Sequence, residues 1–204
     1  MSTRPRTAIL DYGMGNIRSV SKAVDRAGGE PLVTSDPGEA GGTDAMVVPG
    51  VGAFGACMEG LRERGLDRAV LEFAETGKPL LGVCLGMQVL FERSEEGDAT
   101  GLGIMRGGVV RLPSDVKVPH MGWNEVTWKT GHPLVQGLSD DGRFYFVHSY
   151  ACMPEEDVTV GETEHGVRFA AAVARDNLFG TQFHPEKSGE AGLRIYENLV
   201  KAAA

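Results

Sequence analysis

The chain has 204 residues and a formal net charge of -8, from 20 basic and 28 acidic residues. This length suits one domain with a single core, and hydrophobic and charged fractions of 42% and 24% are typical of globular proteins rather than disordered or coiled-coil chains. The acidic balance, without a dense basic cluster, disfavours binding to nucleic acid or anionic membranes.

The cysteines and the apolar segments indicate a cellular location. Cys57, Cys84 and Cys152 are odd in number and lack C-x-x-C spacing, which argues against a disulfide framework or a zinc site and fits a reducing compartment. No apolar segment follows the N-terminal arginines, and no apolar window approaches the ~20 residues of a membrane helix. We therefore expect a cytoplasmic protein with no metal and no cofactor.

The first half of the chain alternates strand and helix patterns. Short apolar runs at residues 7–10, 44–48 and 79–84 are bounded by Gly, Pro or Asp, as is typical of buried parallel strands. Apolar residues at helical spacing lie between them, over residues 17–27 and 61–73. This order predicts the α/β class, with a mostly parallel central sheet and helices on both faces.

After about residue 105 the pattern changes to β-branched and aromatic runs separated by turns. We expect these runs to form an antiparallel extension of the sheet; they cover residues 109–112, 125–128, 144–150, 158–161, 169–173 and 178–183. A C-terminal helix has apolar residues on one face, namely Leu193, Tyr196, Leu199 and Val200. The prediction is a single domain over residues 7–204, preceded by an N-terminal extension of residues 1–6.

The strongest local signal is the segment G-V-C-L-G, from Gly82 to Gly86. It ends a predicted strand and precedes a predicted helix over residues 87–91, so it matches a nucleophile elbow, in which glycines avoid Cβ clashes in a tight turn. Cys84 would stand exposed at a helix N-terminus, where the dipole and free N–H groups favour a thiolate. The pentapeptide alone equally fits a small buried side chain, since free cysteine is often buried.

A nucleophilic cysteine needs a base, and the segment Q-F-H-P-E at residues 182–186 offers one. His184 can exchange a proton with Cys84, while Glu186 holds the imidazole in the required tautomer. Taken singly, His184 is more simply an exposed loop histidine and Glu186 a solvated carboxylate. Together with Cys84, they predict a catalytic triad.

A glycine-rich segment, V-V-P-G-V-G at residues 47–52, follows another predicted parallel strand. Its N–H groups, with that of Leu85, can form an oxyanion hole beyond the strand ends, although an ordinary turn has the same pattern. Other motifs fail. Arg18 replaces the third glycine of a dinucleotide-binding motif, the segment around Gly77 lacks the P-loop spacing, and the histidines lack metal-ligand spacing.

In their order along nearly the whole chain, P-G-V-G, G-V-C-L-G-M-Q and Q-F-H-P-E-K-S resemble the class I (triad) glutamine amidotransferases. The blocks P-H-M-G-W-N at residues 119–124 and F-V-H-S-Y at residues 146–150 are similar to those of one subfamily, the glutaminase subunits of imidazole glycerol phosphate synthase in histidine biosynthesis. The resemblance implies hydrolysis of L-glutamine through a Cys84 thioester. It also implies a heterodimer with a (β/α)8 cyclase subunit, which uses the ammonia to convert PRFAR to imidazole glycerol phosphate and AICAR.

The resemblance further implies a role for each matching residue. The catalytic triad is Cys84, His184 and Glu186, and the oxyanion hole involves Val51, Gly52 and Leu85. The glutamine-binding residues are Gly52, Leu85, Gln88, Glu96, Ser149 and Tyr150. The residues facing the cyclase or signalling to it are Asn16, Met121, Trp123, Tyr145 and Lys187.

Two alternatives remain. One is another enzyme with the same triad, such as the glutaminase subunit of pyridoxal phosphate synthase or a peptidase-like hydrolase, which the P-H-M-G-W-N block disfavours. The other is a non-catalytic docking module with a vestigial site, which the intact triad disfavours. Glutamate release with and without a cyclase separates them.

Overall fold

The computed structural model describes residues 4–129, 131–139 and 142–204. The helices in these residues are α1 (Ile17–Arg26), α2 (Pro37–Gly41), α3 (Phe54–Glu63), α4 (Leu66–Glu75), α5 (Leu85–Gln88) and α6 (Gly189–Ala202). The strands are β1 (Arg6–Leu10), β2 (Glu30–Thr34), β3 (Ala45–Gly50), β4 (Leu80–Cys84), β5 (Phe91–Ser94), β6 (Ala99–Thr100), β7 (Met105–Arg111), β8 (His120–Glu125), β9 (Thr127–Trp128), β10 (Arg143–His148), β11 (Tyr150–Pro154), β12 (Thr159–His165), β13 (Val167–Arg175) and β14 (Leu178–Thr181).

The central sheet has eight strands in the order β2-β1-β3-β4-β14-β13-β12-β9. The strands from β2 to β14 run parallel to one another, and β13, β12 and β9 continue the sheet with antiparallel pairing. The predicted fold class is therefore confirmed, with β1, β3 and β4 as the three expected buried strands. The sequence analysis missed β2, because this edge strand is only partly buried and contains a proline.

Helices cover both faces of the sheet. Successive residues of β3 point alternately to two apolar cores: Met46 and Val48 pack with α3 and α4, whereas Ala45 and Val47 pack with α1 and α6. Every residue of β3 is buried, as expected for a strand covered on both sides. Of the helices in the described residues, none is long and apolar enough to cross a membrane.

Two smaller sheets lie outside the central one, and they correct the prediction of a single extended sheet. Among the described residues, β8 pairs with β10 in a two-stranded sheet, while β11, β7, β5 and β6 form a four-stranded sheet. The run at residues 109–112 therefore belongs to β7, and the run at 144–150 divides at Ser149 between β10 and β11. Alternation along a run identifies a strand but not its partner, which depends on long-range packing.

Other boundaries also differ from the predictions. Gly65, with φ +66, separates α3 from α4 within the predicted helix over residues 61–73. The predicted helix at 87–91 is wrong, since α5 ends at Gln88 and Phe91 begins β5. Of the predicted extension at residues 1–6, residues 1–3 lie outside the described part of the chain, and Arg6 already belongs to β1.

Candidate active site

Cys84 lies at the sharp turn from β4 into α5. Its φ of 55° and ψ of -109° are rare for a residue with a side chain. The flanking glycines permit the turn: a Cβ on Gly86 would lie 1.8 Å from the Val48 carbonyl oxygen, and one on Gly82 would lie 2.5 Å from the Gly86 carbonyl oxygen. The backbone geometry is that of a nucleophile elbow.

The surroundings of Cys84 differ from the predicted exposed position at the start of a helix. Cys84 is only 5% exposed. The helix α5 has only four residues, so the dipole of α5 is much smaller than that of a full-length helix. Leu85 begins α5, and its N–H therefore has no acceptor within the helix. Cys84 lies at the edge of a pocket of about 360 Å³, which gives the thiol limited access to solvent.

His184 follows β14, which is the parallel neighbour of β4. The adjacent strand ends bring His184 next to Cys84, although the two residues are 100 positions apart. Nδ1 of His184 lies 2.9 Å from Oε1 of Glu186, and the two side chains are 2% and 1% exposed. Nε2 is buried and has no conventional hydrogen bond in the described structure, which leaves it available to the Cys84 thiol.

Opposing effects determine the protonation of His184. Burial lowers its pKa, but the interactions with Cys84 and then with Glu186 outweigh burial and raise the pKa to about 9. A thiolate and a carboxylate on opposite sides of one imidazole stabilise its protonated form. The arrangement can therefore hold a cysteine thiolate beside a histidine that donates a proton to a leaving group.

The segment that follows β3 approaches Cys84 from the neighbouring strand. Gly50 pairs with Cys84 in the sheet, and a Cβ at Gly50 would lie 2.7 Å from the Gly86 nitrogen. The Tyr12 hydroxyl donates a hydrogen bond to the Pro49 carbonyl from inside the core. These contacts fix the start of the P-G-V-G segment, while its later part borders the pocket.

The pocket brings together the residues predicted for the oxyanion hole and for glutamine binding. They are Val51, Gly52, Leu85, Gln88, Glu96, Ser149 and Tyr150. Pro119, Val147 and His148 complete the lining with Cys84. One oxygen of Glu96 already accepts the Phe54 N–H at 2.7 Å, so its other oxygen is the one available to a ligand. Their binding roles stay predictions.

The residues predicted to face a partner lie mainly on the outer face of the β8–β10 pair. Met121 and Trp123 are 61% and 56% exposed, and Trp123 lies opposite Tyr145, with ring centroids 6.1 Å apart. Nζ of Lys187 lies 5.7 Å from the Tyr145 ring centroid. Asn16 lies elsewhere, as the N-cap of α1. We call Met121, Trp123, Tyr145 and Lys187 the docking face.

The sequence analysis missed several polar residues near the site. Gln182 lies 3.7 Å from the Cys84 sulfur through its Nε2. His120 and His148 are opposite each other in the β8–β10 register, and their ring nitrogens lie 2.9 Å apart. Burial lowers the pKa of His148 to about 3 and that of His120 to about 4. Gln182 lies two residues before His184 in the Q-F-H-P-E segment, which is the signal that could have found it. No local signal pairs the two histidines.

No group of three or more His, Cys, Asp or Glu side chains among the described residues could hold a metal ion.

The chain is similar to proteins of known family and fold. The family model described as glutamine amidotransferase class-I matches residues 8–203. The chain is 52% identical over 194 residues to the imidazole glycerol phosphate synthase subunit HisH of Moorella thermoacetica, with 94% of this chain and 92% of that protein covered. Over 208 residues it is 50% identical to the subunit of the same name from Aromatoleum aromaticum, with 96% and 98% covered.

A solved structure supports the fold independently. The structure of PurLQS from Thermotoga maritima matches with a TM-score of 0.76, over 98% of this chain and 99% of that chain, at 20% identity. The family match and the near-complete coverage of the relatives agree with the elbow, the histidine and the carboxylate. The chain belongs to the class I glutamine amidotransferase family.

Proposed function

We propose that this chain is the glutaminase subunit of an imidazole glycerol phosphate synthase and hydrolyses L-glutamine to glutamate and ammonia. The observation that carries the proposal is the buried Cys84, His184 and Glu186 arrangement at a pocket of about 360 Å³. Relatives about half identical over nearly the whole chain, named as subunits of that synthase, support the particular pathway.

In the first half of the reaction, the Cys84 thiolate attacks the side-chain carboxamide carbon of glutamine and forms a C–S bond. The negative charge moves to the carboxamide oxygen, where the N–H of Leu85 and the N–H groups of the P-G-V-G segment stabilise it. The C–N bond then breaks, and His184 donates its Nε2 proton to the leaving nitrogen. Ammonia and a glutamyl thioester result.

In the second half, His184 accepts a proton from a water molecule, whose oxygen attacks the thioester carbon. The C–S bond breaks, the Cys84 thiolate reforms, and glutamate leaves. Glu186 stabilises the imidazolium at both stages, because its carboxylate lies 2.9 Å from Nδ1 and is shielded from solvent.

The pocket supports recognition of a free amino acid. Glu96 supplies a carboxylate for the α-ammonium group, and the backbone of Ser149 and Tyr150 supplies further polar groups in the lining. Gln88 holds the Tyr150 carbonyl through an Nε2 hydrogen bond of 3.0 Å. A pocket with few, convergent polar groups is typical of a small-molecule site.

We propose that the docking face binds a (β/α)8 cyclase subunit, which consumes the ammonia with PRFAR and forms imidazole glycerol phosphate and AICAR. Exposed Met and Trp side chains are enriched at protein interfaces. The docking face also connects directly to the triad, because the His184 N–H donates to the Tyr145 carbonyl at 2.9 Å. Partner binding can thereby influence the position of His184.

All three cysteines are free in the structure. Free, buried thiols suit a reducing compartment, and we therefore place this reaction in the cytoplasm.

The deciding experiment measures glutamate release from glutamine by the purified chain, alone and with a cyclase subunit and its nucleotide ligand. We expect weak release by the chain alone and strong activation in the complete mixture. Release that is indifferent to the cyclase would assign the triad to another amidotransferase pathway. No release in either mixture would favour a non-catalytic docking module.

Two variants, with a third as control, separate chemistry from docking. Cys84→Ala is expected to abolish glutamine-dependent synthesis and to preserve ammonia-dependent synthesis in the complex. Trp123→Ala is expected to weaken cyclase binding, whereas Val33→Ala, which truncates an exposed apolar side chain on β2, leaves binding unchanged. Equal cyclase binding by Trp123→Ala and Val33→Ala would show that the interface lies outside the docking face.

A further inference from the structure

Gln182 connects the nucleophile to the wall of the pocket. It follows β14, is fully buried, and its Nε2 lies 3.7 Å from the Cys84 sulfur. Its Oε1 lies 3.1 Å from Nε2 of Gln88, which also donates to the Tyr150 carbonyl at 3.0 Å. These hydrogen bonds therefore form a continuous series from the β11 backbone to Cys84.

The Tyr150 carbonyl, at one end of this series of hydrogen bonds, determines which group donates and which accepts in each of them. A backbone carbonyl only accepts hydrogen bonds, so the Gln88 atom facing Tyr150 is its NH2 group. The same nitrogen faces the Gln182 amide and requires an acceptor there, which is Oε1. The NH2 group of Gln182 must then point at Cys84, and the opposite orientation would place two donors against each other.

We propose that Gln182 is a catalytic residue of this site, which donates an amide N–H to the Cys84 sulfur and stabilises its thiolate. A hydrogen bond to the charged form of a group favours that form. Unlike His184, the amide cannot lose its proton, so it stabilises the sulfur both before attack on glutamine and when the thiolate leaves the glutamyl thioester.

The titratable groups around Cys84 allow this contribution to be isolated. His184, with Glu186 behind it, is a basic group that interacts with Cys84. Burial raises the pKa of the Cys57 thiol to about 11 and also raises the pKa values of Cys152 and Tyr12, so these groups are neutral near pH 7. Burial lowers the pKa of His148 to about 3, and it too is neutral.

The test is the rate at which iodoacetamide alkylates Cys84 in the purified chain between about pH 5 and about pH 9, followed by mass spectrometry of its peptide. Gln182→Met keeps the shape of the side chain but removes the donor. Because a hydrogen bond to a charged group is worth roughly a tenfold change in an equilibrium, we expect the profile to move to higher pH by about one unit. Alkylation below the midpoint becomes about tenfold slower.

Asn198→Met is the matched control. Asn198 is another buried amide, which donates to the Leu134 and Gln136 carbonyls at 2.7 and 3.0 Å, away from Cys84. Its loss destabilises the fold without changing the alkylation profile. A Gln182→Met profile that coincides with that of the unchanged chain would overturn the proposal.

A second variant maintains the test if Gln182→Met does not fold. Gln88→Met removes the donor that orients the Gln182 amide, and we expect a smaller movement of the profile in the same direction. An unmoved profile would overturn the proposal in that case. The inference rests on the proposed function in taking Cys84 as the nucleophile, but the assay contains neither glutamine nor a cyclase. Glutaminase activity that does not respond to a cyclase would therefore leave the result of the alkylation assay unaffected.

Discussion

Replacing Glu186 with glutamine tests how a buried carboxylate supports the catalytic histidine. The carboxylate oxygen lies 2.9 Å from Nδ1 of His184, with side chains that are 1% and 2% exposed. Two unit charges about 4 Å apart interact by about 4 kcal/mol at an effective dielectric constant of about 20. The amide in Glu186→Gln retains part of the hydrogen bond. We therefore expect the imidazolium to lose about 3 kcal/mol of stabilisation, which lowers the pKa of His184 by about two pH units.

The expected result concerns the alkaline side of the pH profile. His184 has a pKa raised to about 9 by Cys84 and Glu186, against the lowering effect of burial, so glutaminase activity should decline as the pH rises through about 9. In Glu186→Gln this decline should begin near pH 7. We expect kcat for glutamate release to fall by about 10²-fold or more at neutral pH, because the amide can also stabilise the wrong imidazole tautomer.

The same substitution predicts a change in stability with a defined sign. A raised folded-state pKa contributes stability that is fully present below the unfolded value of about 6.5 and is lost as the pH rises through about 9. The difference in free energy of unfolding between the unchanged chain and Glu186→Gln should thus be largest near pH 6, should decrease as the pH rises above about 7, and should be mostly lost by about pH 9. Urea unfolding at the two pH values measures it.

Glu190→Gln is the matched control, since it makes the same chemical change on an exposed side chain. Glu190 is 88% exposed and lies 3.4 Å from Arg26, and an exposed ion pair contributes little. We expect its pH profile and stability to match those of the unchanged chain. Identical profiles for Glu186→Gln and Glu190→Gln would refute the role assigned to Glu186.

The remaining predictions concern the elbow and its surroundings. Gly86→Ala should prevent folding or strongly destabilise the native state, because the methyl group would overlap the β3 backbone. Gly55→Ala in the exposed part of α3 has open space and should raise the free energy of unfolding by about 0.5–1 kcal/mol. A similar result for both variants would contradict the elbow geometry. Iodoacetamide should modify Cys84 before the other two cysteines, which are fully buried, and peptide mapping that finds another order would contradict this. Tyr12→Phe should cost about 1 kcal/mol in urea unfolding, because it removes a hydrogen bond to the Pro49 carbonyl inside the core.

The sequence by itself determined the fold class and predicted the members of the triad. Apolar runs bounded by glycine and proline identify β1, β3 and β4, because strands covered on both faces must be apolar throughout. The elbow is equally local, since the tight turn at Cys84 needs glycine on both sides within five residues.

Only the tertiary structure decided which strands are neighbours and which polar groups meet. The adjacency of β4 and β14 brings His184 to Cys84, and the β8–β10 register pairs His120 with His148. The run at residues 144–150 looked like one strand, but it divides between two sheets at Ser149. Periodicity reports the exposure of each residue along one segment, whereas pairing and hydrogen-bond direction depend on groups that are distant in sequence.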